Sequence, residues 1–470
     1  MVKKQFQIDM CNGAVGSKIL LFAVPLIASS LLQLLFNAAD VVVVGKFAGK
    51  EALAAVGSNT SLINLLINLF VGVSIGANVV VARDLGAKRE EQVCRDVHTT
   101  MTLALISGLL MMLFGVIMVR QMLEWMSSPT DVIDLATVYL RIYFFGMPAN
   151  MLYNFGAALL RAQGDTQRPL YYLTFAGVVN VLLNLLFVIV FHMDVAGVAL
   201  ATIIAQYISA ALVIWCLMRE EGPLRLSLSQ LKIELDVVQR ILKVGLPAGF
   251  QGVVFALSNV VIQSSLNSFN DPVLVAGSSA SANIESFVYA AMNAFYQSAI
   301  TFVGQNYGAG KCDRVDRVAK QCLIFVSVTG IVLGGFTYLF GSTLAGFYVQ
   351  PGEDLVIEQA VIRLAYVSIP YFLCGIMDTL VGVLRGLGYS IIPMVVSLIG
   401  ACGLRLIWVV TVFPVYHTPS CLYISYPITW TITGTIHLIF FLAVRKRAYA
   451  KVQGNRAIYT ETRKQLENTP

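Results

Sequence analysis

Apolar stretches, each long enough to cross ~30 Å of hydrocarbon as a helix, follow one another along almost the whole chain. Twelve can be placed, at 17–44, 53–82, 94–119, 131–159, 168–191, 195–218, 237–267, 275–306, 318–346, 355–384, 391–413 and 421–444. In lipid, every backbone N–H and C=O needs a partner within the protein, so helices are the natural solution for such segments. The reading is an all-α membrane protein. Charged residues are only 12% of the 470, against about 25% in soluble domains. The first apolar run lasts 21 residues between Lys18 and Asp40. That exceeds the ~7–15 residues of a cleavable signal core, so it reads as a retained span.

The charges between the stretches set an orientation. Of the 32 Lys and Arg, 26 fall at the N-terminus, in the connections after even-numbered spans and in the tail. Only Lys46, Lys50 and Arg120 lie in the opposite connections. The positive-inside rule then places both termini in the cytoplasm of a multi-pass inner (plasma) membrane protein. It also accounts for the net charge of +6, so no nucleic-acid partner is expected.

The two halves repeat. A shift of 222 residues lays Pro25 on Pro247, Asn37 on Asn259, Gly86 on Gly308, Arg141 on Arg363 and Pro148 on Pro370. After two further residues, Arg161 meets Arg385, Gly164 meets Gly388 and Pro169 meets Pro393. Six spans per half give both halves the same orientation, with an axis along the membrane normal. The expected domains are a six-helix lobe over 1–218, a cytoplasmic linker over 219–236, a second six-helix lobe over 237–447 and a cytoplasmic tail over 448–470. An amphipathic interfacial helix is expected near 230–243, and a frayed helix after Arg445. GQNYGAG (304–310) reads as a tight turn.

Polar residues in the spans point to function. Gln33, Asn37 and Asp40 fall at i, i+4 and i+7, one face of the first helix. An acid at hydrocarbon depth costs on the order of 3 kcal/mol or more and marks an ion or proton site by default; a solvated acid at the outer interface is the alternative. Asn180 with Asn184, and Thr202 with Gln206, lie one turn apart in the fifth and sixth spans. With Tyr139, Asn150, Tyr153 and Asn154 of the fourth they can converge on Asp40. Asn59, Asn64, Asn68 and Asn78 of the second span read as helix–helix hydrogen bonding. The second half carries Asn259, Gln263 and Asn267 at four-residue steps, then Glu285, Tyr289, Asn293 and Gln297 at the same spacing, and Asp378. Arg405 is a candidate partner for Asp378 or Glu285. The position matching Asp40 is Ile262, so the acid has no twin. Pro25 and Pro247 are each a fixed kink or a hinge.

No nucleotide-binding motif, metal-ligand spacing or C-x-x-C pair is visible, and the four histidines are scattered. Neither an enzyme nor a cofactor is expected, and the eight cysteines are read as reduced.

The two parallel halves, VPLIASSLLQLLFNAADVVVVG followed by LAA, and then VGQNYGAG and LRGLGYSIIP, resemble the multidrug and toxic compound extrusion (MATE) family over roughly 17–445. The resemblance implies export of organic cations and other drugs in exchange for H⁺ or Na⁺, nearest the branch with an acid in the first helix. It implies a cation site at Asp40, Tyr139, Asn154, Asn180 and Thr202. Asn184 stands where that branch usually has a second acid, which makes the site less negative and favours H⁺ over Na⁺. The acid positions of the other large branch are Phe255 and Cys374 here. The substrate cavity is expected between the lobes, from Gln33, Asn37, Gln206, Asn259, Gln263, Glu285, Asn293 and Asp378, with Pro25 as hinge. Drug-like small molecules and the bilayer are the expected partners of a monomer. A lipid-linked saccharide flippase of the same broad fold is the alternative, and would need a strongly cationic cavity.

Overall fold

The structure, a computed structural model, describes residues 6–48, 50–125, 130–349 and 352–467. Every regular element among them is helical. Twelve segments form the framework: α1 (Val15–Val43), α2 (Lys50–Gly86), α3 (Glu90–Trp125), α4 (Thr130–Phe145 and Met147–Gln163), α5 (Gln167–Leu185) and α6 (Asp194–Met218), then α7 (Leu235–Asn267), α8 (Pro272–Gly308), α9 (Cys312–Leu339), α10 (Asp354–Val367 and Tyr371–Gly386), α11 (Ile391–Ser397 to Leu404–Thr411) and α12 (Pro419–Glu467). Leu110, Ile117, Leu182, Val332 and Val410 are each 60% or more exposed. Apolar surface on that scale is stable against lipid and not against water. The chain is an all-α, multi-pass membrane protein of twelve helices in two six-helix lobes.

Of the twelve, α8 is too polar to pass as an apolar span. Ser278, Ser279, Ser281, Asn283, Glu285 and Ser286 crowd its first half, and Ser278, Ser281 and Glu285 are buried against protein. Its start is firmly built: Asp271 Oδ1 accepts from the backbone N–H of Val273 at 2.9 Å and of Leu274 at 3.4 Å, and Pro272 takes the first helical position. The spans α4 and α10 are each broken by 47°, at Gly146–Pro148 and Ser368–Pro370. Proline leaves the preceding turn without a donor. Gly164 and Gly388, matched by the repeat, both end a helix with positive φ, +100° and +88°; only glycine adopts that conformation without strain.

By its internal contacts the chain divides into two units. One comprises Met1–Ile8, Ala28–Val81 and Arg89–Gly249; the other comprises Asp9–Ile27, Ala82–Lys88 and Phe250–Pro470. The unit boundaries within α1 and α7, at 27/28 and 249/250, are 222 residues apart, the offset of the sequence repeat. Each boundary falls two residues after the helix's proline, Pro25 or Pro247.

In the first unit the N-terminal half of α7 lies hard against α2. A Cβ on Gly72 would stand 2.1 Å from the Gly249 nitrogen, and one on Gly76 would stand 2.3 Å from the Ile241 oxygen. In the second unit the repeat-related glycines meet reciprocally: a Cβ on Gly86 would stand 2.0 Å from the Gln305 oxygen, and one on Gly308 2.0 Å from the Arg83 oxygen. Small residues let membrane helices approach this closely.

Two local expectations change, and the helix expected after Arg445 is present. The segment 230–243 is not a separate interfacial helix: after short turns at Gly222–Leu224 and Leu228–Gln230, α7 runs unbroken from Leu235. Its apolar Val237 and Ile241 enter the core, and Arg240 pairs with Asp96 of α3 at 2.7 Å, so protein satisfies both faces. Beside it Arg95 and Lys232 hold the Glu234 carboxyl down at about 2. The residues after Arg445 continue α12 as helix to Glu467. GQNYGAG is helical through Gly308, and only 309–310 turn. The side chains of Asn59 and Asn64 and residues 468–470 lie outside the described residues.

Candidate cation-coupling site

Two helices of the first unit position the site. Phe36 of α1 seats its ring in the notch left by Gly177 of α5, where a Cβ would be 1.9 Å from the ring. That register brings Asp40, one turn after Phe36, opposite Asn184, two turns after Gly177. Asn184 Nδ2 donates to Asp40 Oδ1 and, at 3.4 Å, to Asn180 Oδ1. Asn180 Nδ2 donates to Thr202 Oγ1 at 3.4 Å, and Thr202 Oγ1 donates to the Val198 carbonyl at 2.9 Å. Asp40 is half-buried; Asn180 and Asn184 are buried.

Just past these residues both helices widen. α1 passes into a π turn at Val44–Ala48 and α5 into one at Leu186–Val190, and the two turns pack on each other. Such turns recur at functional sites. The Asn184 Oδ1 is buried without a hydrogen-bond partner among the described residues. The site therefore offers one carboxylate and a free amide oxygen on its neighbour. Both are acceptors, a chemistry that suits a proton or a small cation.

The structure thus joins Asp40, Asn184, Asn180 and Thr202 in one hydrogen-bonded path. Asn154 instead donates to the carbonyl and the side-chain oxygen of Asn150, both at 2.9 Å. Tyr139 is buried and stacked on Tyr143, with centroids 6.1 Å apart and planes 21° apart. Gln206 keeps a buried Oε1 without a partner among the described residues. Gln33 and Asn37, two turns and one turn before the acid, are exposed.

In the second unit Asn259 is exposed, and Gln263 donates to Asn267 at 3.2 Å. Asn293 is half-buried. Asp378 accepts from Tyr289 Oη at 3.3 Å. The pairing expected of Arg405 does not form. Arg405 lies 4.0 Å from the Tyr426 ring centroid and donates to Thr429 at 3.3 Å. Glu285 is held by Arg363, through Nη2 at 3.0 Å and Nε at 3.2 Å, with Ser281 donating at 2.9 Å. Arg405 sits on α11, where the Tyr426 and Thr429 side chains of α12 take it up, whereas α10 packs along α8 and aims Arg363 at the acid. The repeat match of Arg141 with Arg363 was the signal for this residue, although Arg141 itself is exposed. Among the described residues no three His, Cys, Asp or Glu side chains group as a metal site, and the eight cysteines are free.

Comparison with known proteins agrees with this architecture. The chain is 27% identical to the probable multidrug resistance protein YoeA of Bacillus subtilis, over 82% of this chain and 84% of that protein. It is 24% identical to a protein of Shewanella oneidensis named FAD transporter, over 74% and 75%. The solved structure of MATE in complex with MaL6 superposes with a TM-score of 0.87 at 18% identity, covering 95% of this chain and 98% of that one. The MatE family model matches twice, over residues 25–186 and 247–411, beginning at the two repeat-related prolines. The chain belongs to the MatE family of multidrug and toxic compound extrusion transporters.

Proposed function

We propose that the protein exports drug-like molecules, chiefly organic cations, in exchange for a proton taken up at Asp40. The observation that carries this reading is the partner of the acid: Asp40 is bonded to a neutral amide, Asn184, and not to a base that would hold it ionised. A carboxylate with one amide partner gains most by binding a proton. Protonation cancels its demand for donors and lets α1 repack, with Pro25 as the hinge. The substrate site then turns to the outer side by alternating access. Both termini face the cytoplasm of the plasma membrane, and the chain works as a monomer.

A second reading uses Na⁺ instead. It is favoured by the unpartnered Asn184 oxygen, a neutral ligand beside the carboxylate. One experiment separates the two: dye efflux from vesicles with a pH gradient and a Na⁺ gradient imposed separately. A pH gradient alone drives efflux if the proton is the coupling ion, and Asp40→Asn abolishes it. Full gradient-driven efflux by the Asn variant would remove Asp40 from the coupling. The flippase alternative predicts phosphate-bearing substrates. The second unit's Arg363 is neutralised by Glu285, which weakens that alternative.

A further inference from the structure

A groove of about 590 Å³ runs between α9 and α12 within the second unit. Asp316, Lys320, Leu323, Ile324, Ser327 and Val328 line it from α9. Their spacing is that of one helix face. From 316 to 328 that face spans about 18 Å at 1.5 Å per residue, close to the ~15 Å depth of one leaflet's hydrocarbon. From α12, Phe441 forms the wall and Arg445 the mouth. The groove is therefore an apolar track with a charged end.

The charged end continues into a second depression, of about 380 Å³, which shares Lys320 and adds Arg314 and Arg317. Residues 13–16 line it too, so it lies on the side of the N-terminus. Two of these cations are already engaged. Arg314 donates to the carbonyls of Met10 (3.0 Å), Gly13 (2.7 Å) and Asn12 (2.8 Å). Arg445 pairs with Asp316 at 3.2 Å, and Asp316 also accepts from Tyr449 at 2.9 Å. Arg317 and Lys320 are exposed, and no hydrogen bond or ion pair joins them to another described residue. Two cations three residues apart on a helix repel each other. An anion bound between them relieves that repulsion.

We propose that this surface is a binding site for an anionic glycerophospholipid. The headgroup phosphate sits at Arg317 and Lys320, and one acyl chain lies along Leu323, Ile324, Val328 and Phe441. A free phosphate or a soluble acid would leave the apolar track unused. An organic cation would meet the wrong charge. Basic recesses between membrane helices at the cytoplasmic face suit anionic headgroups. The leaflet rests on the orientation proposed above, but the binding itself does not, and it is independent of coupling at Asp40.

The test uses the purified full chain in neutral detergent. It is titrated with phosphatidylglycerol, with phosphatidylcholine of the same acyl chains, and with inorganic phosphate, reading thermal unfolding and lipid adducts by native mass spectrometry. The expected result is a dose-dependent rise in Tm and retained adducts with phosphatidylglycerol alone. The double variant Arg317→Gln, Lys320→Gln weakens apparent binding at least tenfold, and Ser327→Trp, which fills the groove without altering charge, weakens it too. An equal shift with phosphatidylcholine or inorganic phosphate overturns the proposal, and so does unchanged binding by Ser327→Trp. That variant decides the matter if the charge variant does not fold.

Discussion

Asp40 and Glu285 are both carboxylates placed in membrane helices, and their partners set them apart. Asp40 stood out in the sequence because an acid in an otherwise apolar helix is expensive. Its amide partner Asn184, with Asn180 one turn behind it, was visible in the sequence, but the meeting with α1 depends on the Phe36–Gly177 notch, a packing fit that no spacing encodes. Glu285 was equally visible, yet its partner was not: three arginines, Arg363, Arg385 and Arg405, were available in α10 and α11, and only the packing of α10 on α8 selects Arg363. The Glu285–Arg363 pair is buried, with side chains 8% and 9% exposed. Removing one member of such a pair strands the other charge, at about 3–5 kcal/mol. Arg363→Met is therefore expected to lower the unfolding midpoint in detergent sharply. The double variant Glu285→Gln, Arg363→Met recovers most of the loss. Arg405→Met, whose partners Tyr426 and Thr429 are neutral, leaves no carboxylate unpaired and costs less. A larger loss for Arg405→Met than for Arg363→Met would reverse the assignment.

The helices themselves were largely legible, because length and apolarity determine which segments cross a bilayer. What the sequence did not reveal are features decided by neighbours. The 47° breaks in α4 and α10 sit beside repeat-matched prolines, but proline alone does not say whether a membrane helix kinks or divides. The assignment of α1 and α7 across the two units at 27/28 and 249/250 follows from close helix packing at glycines that appear in sequence only as single small residues. These glycines carry a prediction. A Cβ at Gly72 overlaps the Gly249 backbone, and one at Gly308 overlaps the Arg83 carbonyl. Neither obstacle is a flexible side-chain end, so Gly72→Ala and Gly308→Ala each force two helices apart. Overpacking of this kind costs about 1–3 kcal/mol. Gly335 of α9 has nothing within 4 Å of an added Cβ, so Gly335→Ala gains up to about 1 kcal/mol of helix propensity. Thermal unfolding of the three variants in one detergent should order them with Gly335→Ala at or above wild type and the other two below it.

At the scale of the whole molecule, the halves share a scaffold but not a chemistry. The repeat places Ile262 where the first half has Asp40, so on the proposed reading one lobe holds the coupling acid and each cycle handles one ion there. With the neutral Asn184 as the acid's partner, that reading has one elementary charge neutralised per turnover at this site. Exchange of one proton for one singly charged cation then moves no net charge. The membrane potential, worth about 2.3 kcal/mol per charge per 100 mV, drops out for such a substrate. The pH difference alone drives it, at about 1.4 kcal/mol, or tenfold in substrate ratio, per unit. A neutral substrate behaves differently, because the incoming proton is then uncompensated and the potential contributes in full. In vesicles whose potential is clamped by a potassium ionophore, efflux of a monovalent cationic dye should follow the pH gradient and ignore the clamp. Efflux of a neutral dye should respond to both. A cationic dye whose steady-state gradient changes about fiftyfold per 100 mV would require a second coupled charge per cycle. That charge would have to come from an acid other than Asp40, and Asp378, held by a single tyrosine hydroxyl, would be the first residue to substitute.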